Sequence, residues 1–111
     1  MDQTLIHTET RDGFVIKFYT CPEFTPITEV LDIREFADEI DAVENGTLEY
    51  FCAKVTISFG AIELGSEYLG CCVYENAKDF INPDSVYDDM VHELLTHAHE
   101  TVKTMYEHCK E

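Results

Sequence analysis

The chain has 111 residues, the length of a single domain, and 45% of them are apolar, which is enough for one core and excludes a disordered chain. Its 23 Asp and Glu residues outnumber 7 Lys and Arg, so the net charge at pH 7 is −16. Such a charge disfavours direct binding to nucleic acid or anionic membranes and favours a partner with a basic surface, with ordinary solubility as the alternative explanation.

The first predicted element is a β-hairpin. Residues 4–10 and 14–19 both have high β propensity, and Asp12-Gly13 lies between them. An Asp-Gly pair between two such runs is a strong signal for a tight hairpin turn. Pro22 then ends the second strand, because proline cannot donate a hydrogen bond to a neighbouring strand.

A helix is predicted next, from Asp32 to Val43. Asp32 and Glu35 fit a capping box, and Asn45-Gly46 fits the end of a helix. Apolar residues at helical spacing share one arc of this helix: Ile33, Phe36, Ala37, Ile40 and Val43. The opposite arc is acidic and is the first candidate surface for binding a partner: Asp32, Glu35, Asp38, Glu39 and Asp41.

Two further strands follow. Residues 48–59 alternate between apolar and polar side chains, and Phe51, Ala53, Val55, Ile57 and Phe59 share one face. After a turn at Gly60, residues 62–74 have the composition of a strand that is interrupted at Gly65 and Gly70. Glycine inside a strand indicates a bulge or bend.

The last predicted element is a long helix, which follows a single helical turn within residues 75–81. Asn82 or Asp84 is a suitable N-cap. The helix carries an apolar stripe: Tyr87, Met90, Val91, Leu94, Ala98, Val102, Met105 and Cys109. Its acidic beginning is the second candidate partner-binding surface: Asp88, Asp89 and Glu93.

The order β-β-α-β-β-α predicts one α+β domain over residues 1–111. We expect a four-stranded, largely antiparallel sheet with the helices on one face, because each helix has a single apolar stripe to bury. Residues that share these apolar faces are predicted to be buried: Phe36, Ile40, Phe51, Val55, Ile57, Leu94 and Val102.

No motif in the chain indicates catalysis or a resident metal. His92 and His97 resemble the zinc-protease pair but are five residues apart, so they diverge by about 140° on a helix. Glu93, His97 and Glu100 share a stripe that could hold a divalent ion, but exposed histidines on an acidic helix explain it better. We therefore predict a protein without catalytic residues, bound metal or cofactor.

The cysteines are predicted to be reduced structural thiols. Their number is odd and their spacing includes no C-x-x-C: Cys21, Cys52, Cys71, Cys72 and Cys109. The sequence also has no signal-peptide pattern and no apolar run near 18 residues, so we expect no membrane association. Both observations predict a cytoplasmic protein.

The small size, the acidic β-β-α-β-β-α layout and the segments FCAKVT (51–56) and LGSEYLGCC (64–72) resemble small accessory proteins of bacteriophages and prophages. Several such proteins inhibit CRISPR or restriction systems, and some of them act as DNA mimics. The resemblance implies an anti-defence role in a bacterial host cell and transfers no site residue.

Two functional hypotheses follow. In the first, the chain is a non-enzymatic inhibitor that covers a basic, nucleic-acid-binding surface of a bacterial defence protein or complex. In the second, it is a homodimeric regulatory or structural module whose acidity serves only solubility, with an exposed strand or the last helix as the interface. Charge-driven binding weakens steeply as salt is added, whereas an apolar dimer does not.

Overall fold

The computed structural model describes residues 3–82 and 85–109. Four antiparallel strands form one sheet in the order β1-β2-β3-β4. Their bounds are β1 (Thr4–Arg11), β2 (Phe14–Cys21), β3 (Glu49–Phe59) and β4 (Ile62–Tyr74). The predicted α+β class and the four-stranded sheet are thus confirmed.

The turns lie where the sequence places them. Asp12 and Gly13, which join β1 to β2, both have positive φ, 53° and 84°. A turn with this conformation has a twist that matches the twist of the strands. Gly60, with φ of 60°, begins the turn into β4. The pairing of β3 with β4 slips once near Gly65 and once near Gly70, so the predicted irregularities of this strand are confirmed as bulges.

Four helical segments accompany the sheet: α1 (Ile27–Val30), α2 (Ala37–Glu44), a 3₁₀ helix (Ala77–Ile81) and α3 (Val86–Cys109). The 3₁₀ helix is the predicted single turn, and α3 is the predicted long helix. Asn82 does not cap α3, because it ends the 3₁₀ helix and its amide donates to the Asp79 carbonyl. The alternative cap, Asp84, lies outside the described residues.

The core lies between one face of the sheet, α3 and the 3₁₀ helix. Phe18 of β2 stacks on Phe80 of the 3₁₀ helix with ring centroids 5.0 Å apart. Leu94 of α3 lies over Gly65, where an added Cβ would be 3.3 Å from its side chain, so the glycine permits this close approach. Four predicted core residues are buried in this cluster and confirmed: Phe51, Val55, Ile57 and Leu94. Val102 is half-buried and packs against it.

The helix predicted from Asp32 begins five residues later, at Ala37. The Asp32 carboxylate accepts from the backbone N–H of Arg34, and its carbonyl accepts from the N–H groups of Glu35 and Phe36. Asp32 therefore closes a separate turn instead of capping a helix. Phe36 precedes the helix and is exposed, so its predicted burial is wrong, whereas Ile40 is buried as predicted.

The α1–α2 region lies apart from the core face of the sheet. Tyr50 alternates with Phe51 and so points away from the core, and its hydroxyl donates to the Thr25 carbonyl just before α1. Neither Ile27 of α1 nor Ile40 of α2 belongs to the core cluster. The expectation that both predicted helices share one face is met by α3 alone, because the chain after β2 crosses to the other face.

Candidate acidic interface

The carboxylates of the first predicted surface are all exposed, although they do not share one helix. Asp38, Glu39 and Asp41 lie on α2, whereas Asp32 and Glu35 belong to the turn before it. Three more exposed carboxylates continue this surface: Glu29, Glu44 and Glu49. We call residues 29–49 the acidic segment.

Most of these carboxylates are not engaged within the protein. Among the described residues, the carboxylates of Glu35, Asp38, Glu39 and Asp41 make no hydrogen bond or ion pair. Arg34 is the one basic residue of the acidic segment. The segment therefore presents a concentrated negative charge to the solvent.

A group of side chains fastens the chain just ahead of this segment to the outer face of the sheet. The Glu23 carboxylate accepts from the backbone N–H of Cys71 at 2.8 Å and of Thr25 at 3.1 Å. Both hydrogen bonds lower the pKa of Glu23, and the bond from Cys71 has the larger effect. Since Cys71 lies in the second β4 bulge, the bulge positions the start of the acidic segment.

Exposed apolar side chains stand among the carboxylates. Ile33 is 62% exposed and Val30 is 41% exposed, and Phe36 is also exposed. Sequence reasoning assigned Ile33 and Phe36 to a buried helix face, so this part of the surface was missed. The local signal was Asp32 itself, because an aspartate often closes a turn with the backbone N–H two residues on.

The second predicted surface is partly engaged inside the protein. Asp88 is half-buried and pairs with Arg11 of β1 at 3.2 Å. Glu93 is exposed, but it hydrogen-bonds Glu67, whose pKa is raised by burial and then by this neighbour. Of the three residues, only Asp89 is an exposed carboxylate without such a contact. The first surface is therefore the more available of the two.

A polar cluster under the edge of the sheet was not found by sequence reasoning. His7, Glu9 and Arg11 of β1 face α3, and the Glu9 carboxylate accepts from His7, from Arg11 and from the Tyr87 hydroxyl. Burial opposes ionisation of Glu9, but these hydrogen bonds outweigh it, so its pKa is lowered. The cluster fastens the edge strand to α3.

Two of the cysteine thiols have a raised pKa. Cys21, Cys52, Cys71 and Cys72 are free. The pKa of Cys52 is raised mainly by burial, and next by the negative charge of Glu23 and by the neighbouring thiols. Burial also raises the pKa of Cys72, to about 11. A raised pKa disfavours the reactive thiolate.

The side chains that could ligate a metal do not converge. Within residues 3–82 and 85–109, no group of three or more His, Cys, Asp or Glu side chains is placed to hold an ion. In the same part of the chain, no helix has the length and apolar character needed to cross a membrane. Glu93, His97 and Glu100 are all exposed on α3.

Comparison of the chain with models of protein families, with curated proteins and with solved structures found no match.

Proposed function

We propose that this protein is a non-enzymatic binding protein whose acidic segment covers a basic, nucleic-acid-binding surface of another protein. The observation that carries the proposal is the exposure of all eight carboxylates between residues 29 and 49, against Arg34 alone. Nucleic-acid-binding proteins answer the phosphate backbone with Lys and Arg, and an ordered row of carboxylates competes for the same cations. The partner is thus a protein and not a nucleic acid.

The exposed apolar residues of the acidic segment can add affinity that exposed ion pairs alone do not provide. Exposed ion pairs contribute at most about 1 kcal/mol each, because solvent and salt screen them. Ile33, Val30 and Phe36 can enter a pocket of the partner, exclude water from nearby ion pairs and strengthen them. Long-range attraction would then speed the encounter, and the apolar contacts would hold the complex.

The class of partner follows from the resemblance to phage accessory proteins. We propose a nucleic-acid-binding component of a bacterial defence system, either CRISPR or restriction, as the target. The protein would act in the cytoplasm of the bacterial host, where such complexes operate. Blocking the nucleic-acid site would require neither catalysis nor a cofactor.

The test is affinity capture with a matched pair of variants. The natural chain is immobilised and exposed to bacterial lysate at low salt, and retained proteins are eluted with increasing salt and identified by mass spectrometry. A first variant combines Glu35→Lys, Asp41→Lys and Glu44→Lys, which avoids the first turn of α2, where Asp38 and Glu39 favour the helix dipole. A control reverses three exposed carboxylates elsewhere: Glu63, Glu100 and Glu107.

We expect the natural chain and the control to retain the same nucleic-acid-binding protein, and the first variant to lose it. The captured protein, once purified, should release labelled DNA or RNA when the natural chain is added. Equal retention by all three chains would contradict the proposal. So would a captured protein that still binds its nucleic acid in the complex.

A further inference from the structure

Two free cysteines lie directly opposite each other on neighbouring strands. Cys21 of β2 and Cys52 of β3 are partners in the antiparallel register. Cys52 alternates with the buried residues Phe51 and Ala53, so both thiols belong to the outer face of the sheet, away from the core. The sequence alone does not reveal this pair, because residues 22–51 separate the two positions along the chain.

The spacing of opposed residues suits a disulfide. Antiparallel partners have Cα atoms about 4.5 or 5.5 Å apart, and disulfides join Cα atoms about 4.4–6.8 Å apart. Opposed Cβ atoms are about 4.5–5.5 Å apart, whereas a disulfide brings them to about 3.5–4.5 Å. Cys21 can make this small shift, because it is the last residue of β2 and the chain leaves the sheet at Pro22.

The two neighbouring cysteines of β4 are less well placed to pair with Cys52. Cys72 lies in the core cluster, on the other face of the sheet. Cys71 is close enough for its charge to affect Cys52, but it lies in the second β4 bulge, where the pairing with β3 shifts. The Tyr50 hydroxyl donates to the Cys71 sulfur at 3.5 Å. Cys21 is therefore the thiol that directly faces Cys52.

Packing in the core does not account for Cys21 and Cys52. Cysteine is among the most buried residue types, and Cys72 conforms to this rule. Cys21 and Cys52 are only half-buried, and both line one surface depression of about 400 Å³ together with Phe24 and Tyr68. A depression of this size admits a small molecule, so a small reagent can reach both sulfurs from the solvent.

The pair lies at the base of the connection between β2 and β3. This connection leaves the sheet after Cys21 and returns to it at Glu49, so a bond between Cys21 and Cys52 encloses the whole acidic segment. In the reduced chain, hydrogen bonds from Cys71 to Glu23 and from Tyr50 to Thr25 hold the start of the connection on the sheet. Such contacts open in local fluctuations, whereas a covalent bond does not.

We propose that Cys21 and Cys52 form a reversible disulfide that fastens the base of the β2–β3 connection when the protein meets a small disulfide oxidant such as oxidised glutathione. One cysteine thiolate attacks a sulfur of the oxidant, which gives a mixed disulfide and releases one thiol of the oxidant. The second cysteine loses its proton, attacks the protein sulfur of the mixed disulfide and releases the other thiol. The two cysteines lose two electrons and two protons, and the oxidant gains both. The inference stands independently of what the acidic segment binds.

The environment of Cys52 favours persistence of the bond once it has formed. The raised pKa of Cys52 makes its sulfur a poor leaving group, so a reductant that attacks the Cys21 sulfur expels Cys52 slowly. The bond also closes a long loop, which removes conformational freedom from the unfolded chain. We therefore expect the oxidised chain to be the more stable form.

The experiment equilibrates the full chain with mixtures of reduced and oxidised glutathione and then alkylates the remaining thiols. Mass spectrometry of unreduced proteolytic fragments identifies which cysteines are joined. The test variants are Cys21→Ser and Cys52→Ser. Cys71→Ser is the matched control, because it removes a half-buried thiol close to Cys52 and leaves the proposed pair intact. Circular dichroism of the reduced chains establishes that they are folded, and the fragments of the natural chain identify the bond without any variant.

We expect one intramolecular disulfide, between Cys21 and Cys52, in the natural chain and in the control, and none in either test variant. Oxidation should raise the unfolding temperature of the natural chain and the control by on the order of 10 °C, and dithiothreitol should abolish the gain. Amide hydrogen exchange within residues 22–36 should slow on oxidation, because local opening of the connection is restricted.

Two results would overturn the proposal at its first step. One is a disulfide that joins other cysteines of the chain, and the other is a natural chain that stays reduced or stops at a mixed disulfide with glutathione. Hydrogen exchange within residues 22–36 that oxidation leaves unchanged would show that the bond forms without fastening the connection, which would overturn the second step.

Discussion

At the scale of single residues, Glu9 is the side chain whose role is least visible in the sequence. His7, Glu9 and Arg11 alternate on β1 as the outward, solvated face of an edge strand usually does. The structure turns this polar set inward, where Tyr87 and Asp88 of α3 meet it. Inward-pointing charge at an edge strand also discourages pairing with another sheet.

We predict that Glu9→Gln destabilises the fold by about 1.5–3 kcal/mol at neutral pH, because a charged acceptor of three side-chain hydrogen bonds is replaced by a neutral amide. The free energy of unfolding should be measured with urea for the natural chain and the variant. Glu35→Gln, at an exposed carboxylate without a partner, is the matched control and should change little.

The pH dependence of this loss has a defined sign. The pKa of Glu9 is lowered in the folded chain, so its contribution is fully present above the ordinary pKa of glutamate and is lost as the pH falls through the folded-state pKa. The difference between the natural chain and Glu9→Gln should therefore shrink in acid. A difference independent of pH would mean that the charge of Glu9 does not matter.

At the scale of elements, the predictions that the structure confirms rest on local signals in the sequence. Asp12-Gly13 predicts its turn because both positions require positive φ, and the alternation of residues 51–57 predicts a strand with one buried face. Gly65 and Gly70 predicted irregular pairing because glycine in a strand interior has no side chain to pack. Each of these outcomes depends on a few neighbouring residues.

The start of α2 could not be predicted in the same way. Asp32 is suited both to capping a helix and to closing a turn, since its side chain accepts from a backbone N–H in either case. The sequence does not decide between the two, and in the folded chain Glu23 and Tyr50 hold the preceding segment on the sheet through contacts with Cys71 and Thr25. Such long-range contacts leave no periodic pattern in the sequence.

The contrast between Leu94 and Phe36 tests the corrected packing. Leu94→Ala should cost about 2–5 kcal/mol, because Leu94 is buried against β4 at Gly65 and its removal leaves a cavity. Phe36→Ala should cost only about 1 kcal/mol, since Phe36 is 39% exposed and does not belong to the core cluster. Thermal or urea unfolding of both variants provides the measurement.

A large cost for Phe36→Ala would restore the longer helix from Asp32 that the sequence predicted. A small cost for Leu94→Ala would mean that α3 does not pack on the sheet as the structure has it. Phe36→Ala removes twice as many carbon atoms as Leu94→Ala, so a smaller cost at Phe36 reports its exposure and not the size of the side chain.

At the scale of the whole molecule, the carboxylates are placed where their mutual repulsion is tolerated. Eight of them lie in the acidic segment, which is outside the core cluster, and Glu100 and Glu107 are exposed on α3. Where α3 packs on β4, however, the carboxyl groups of Glu67 and Glu93 are in contact, and burial first and then this neighbour raise the pKa of Glu67. The carboxylates also repel one another over longer distances, and this repulsion acts on the compact state as a whole.

Reversing Glu35, Asp41 and Glu44 to lysine moves the net charge from −16 to −10. We expect this variant to unfold at a higher temperature than the natural chain at low salt, because it relieves repulsion and places a cation near the end of α2. The gain should shrink as salt is added, since the screening length falls from about 30 Å at 0.01 M to about 3 Å at 1 M. Differential scanning calorimetry across this range measures it.

Salt should act in opposite directions on folding and on binding of the natural chain. Screening weakens repulsion among its own carboxylates, which raises the unfolding temperature, and it weakens attraction to a basic partner, which lowers the affinity.

The control with Glu63, Glu100 and Glu107 reversed has the same net charge as the first variant, so it should gain comparable stability at low salt and still bind the partner. If both variants gain stability and both still bind the partner, the acidity serves only solubility. If only the first variant loses binding, the charge of the acidic segment is a recognition surface, because net charge alone no longer distinguishes the two chains.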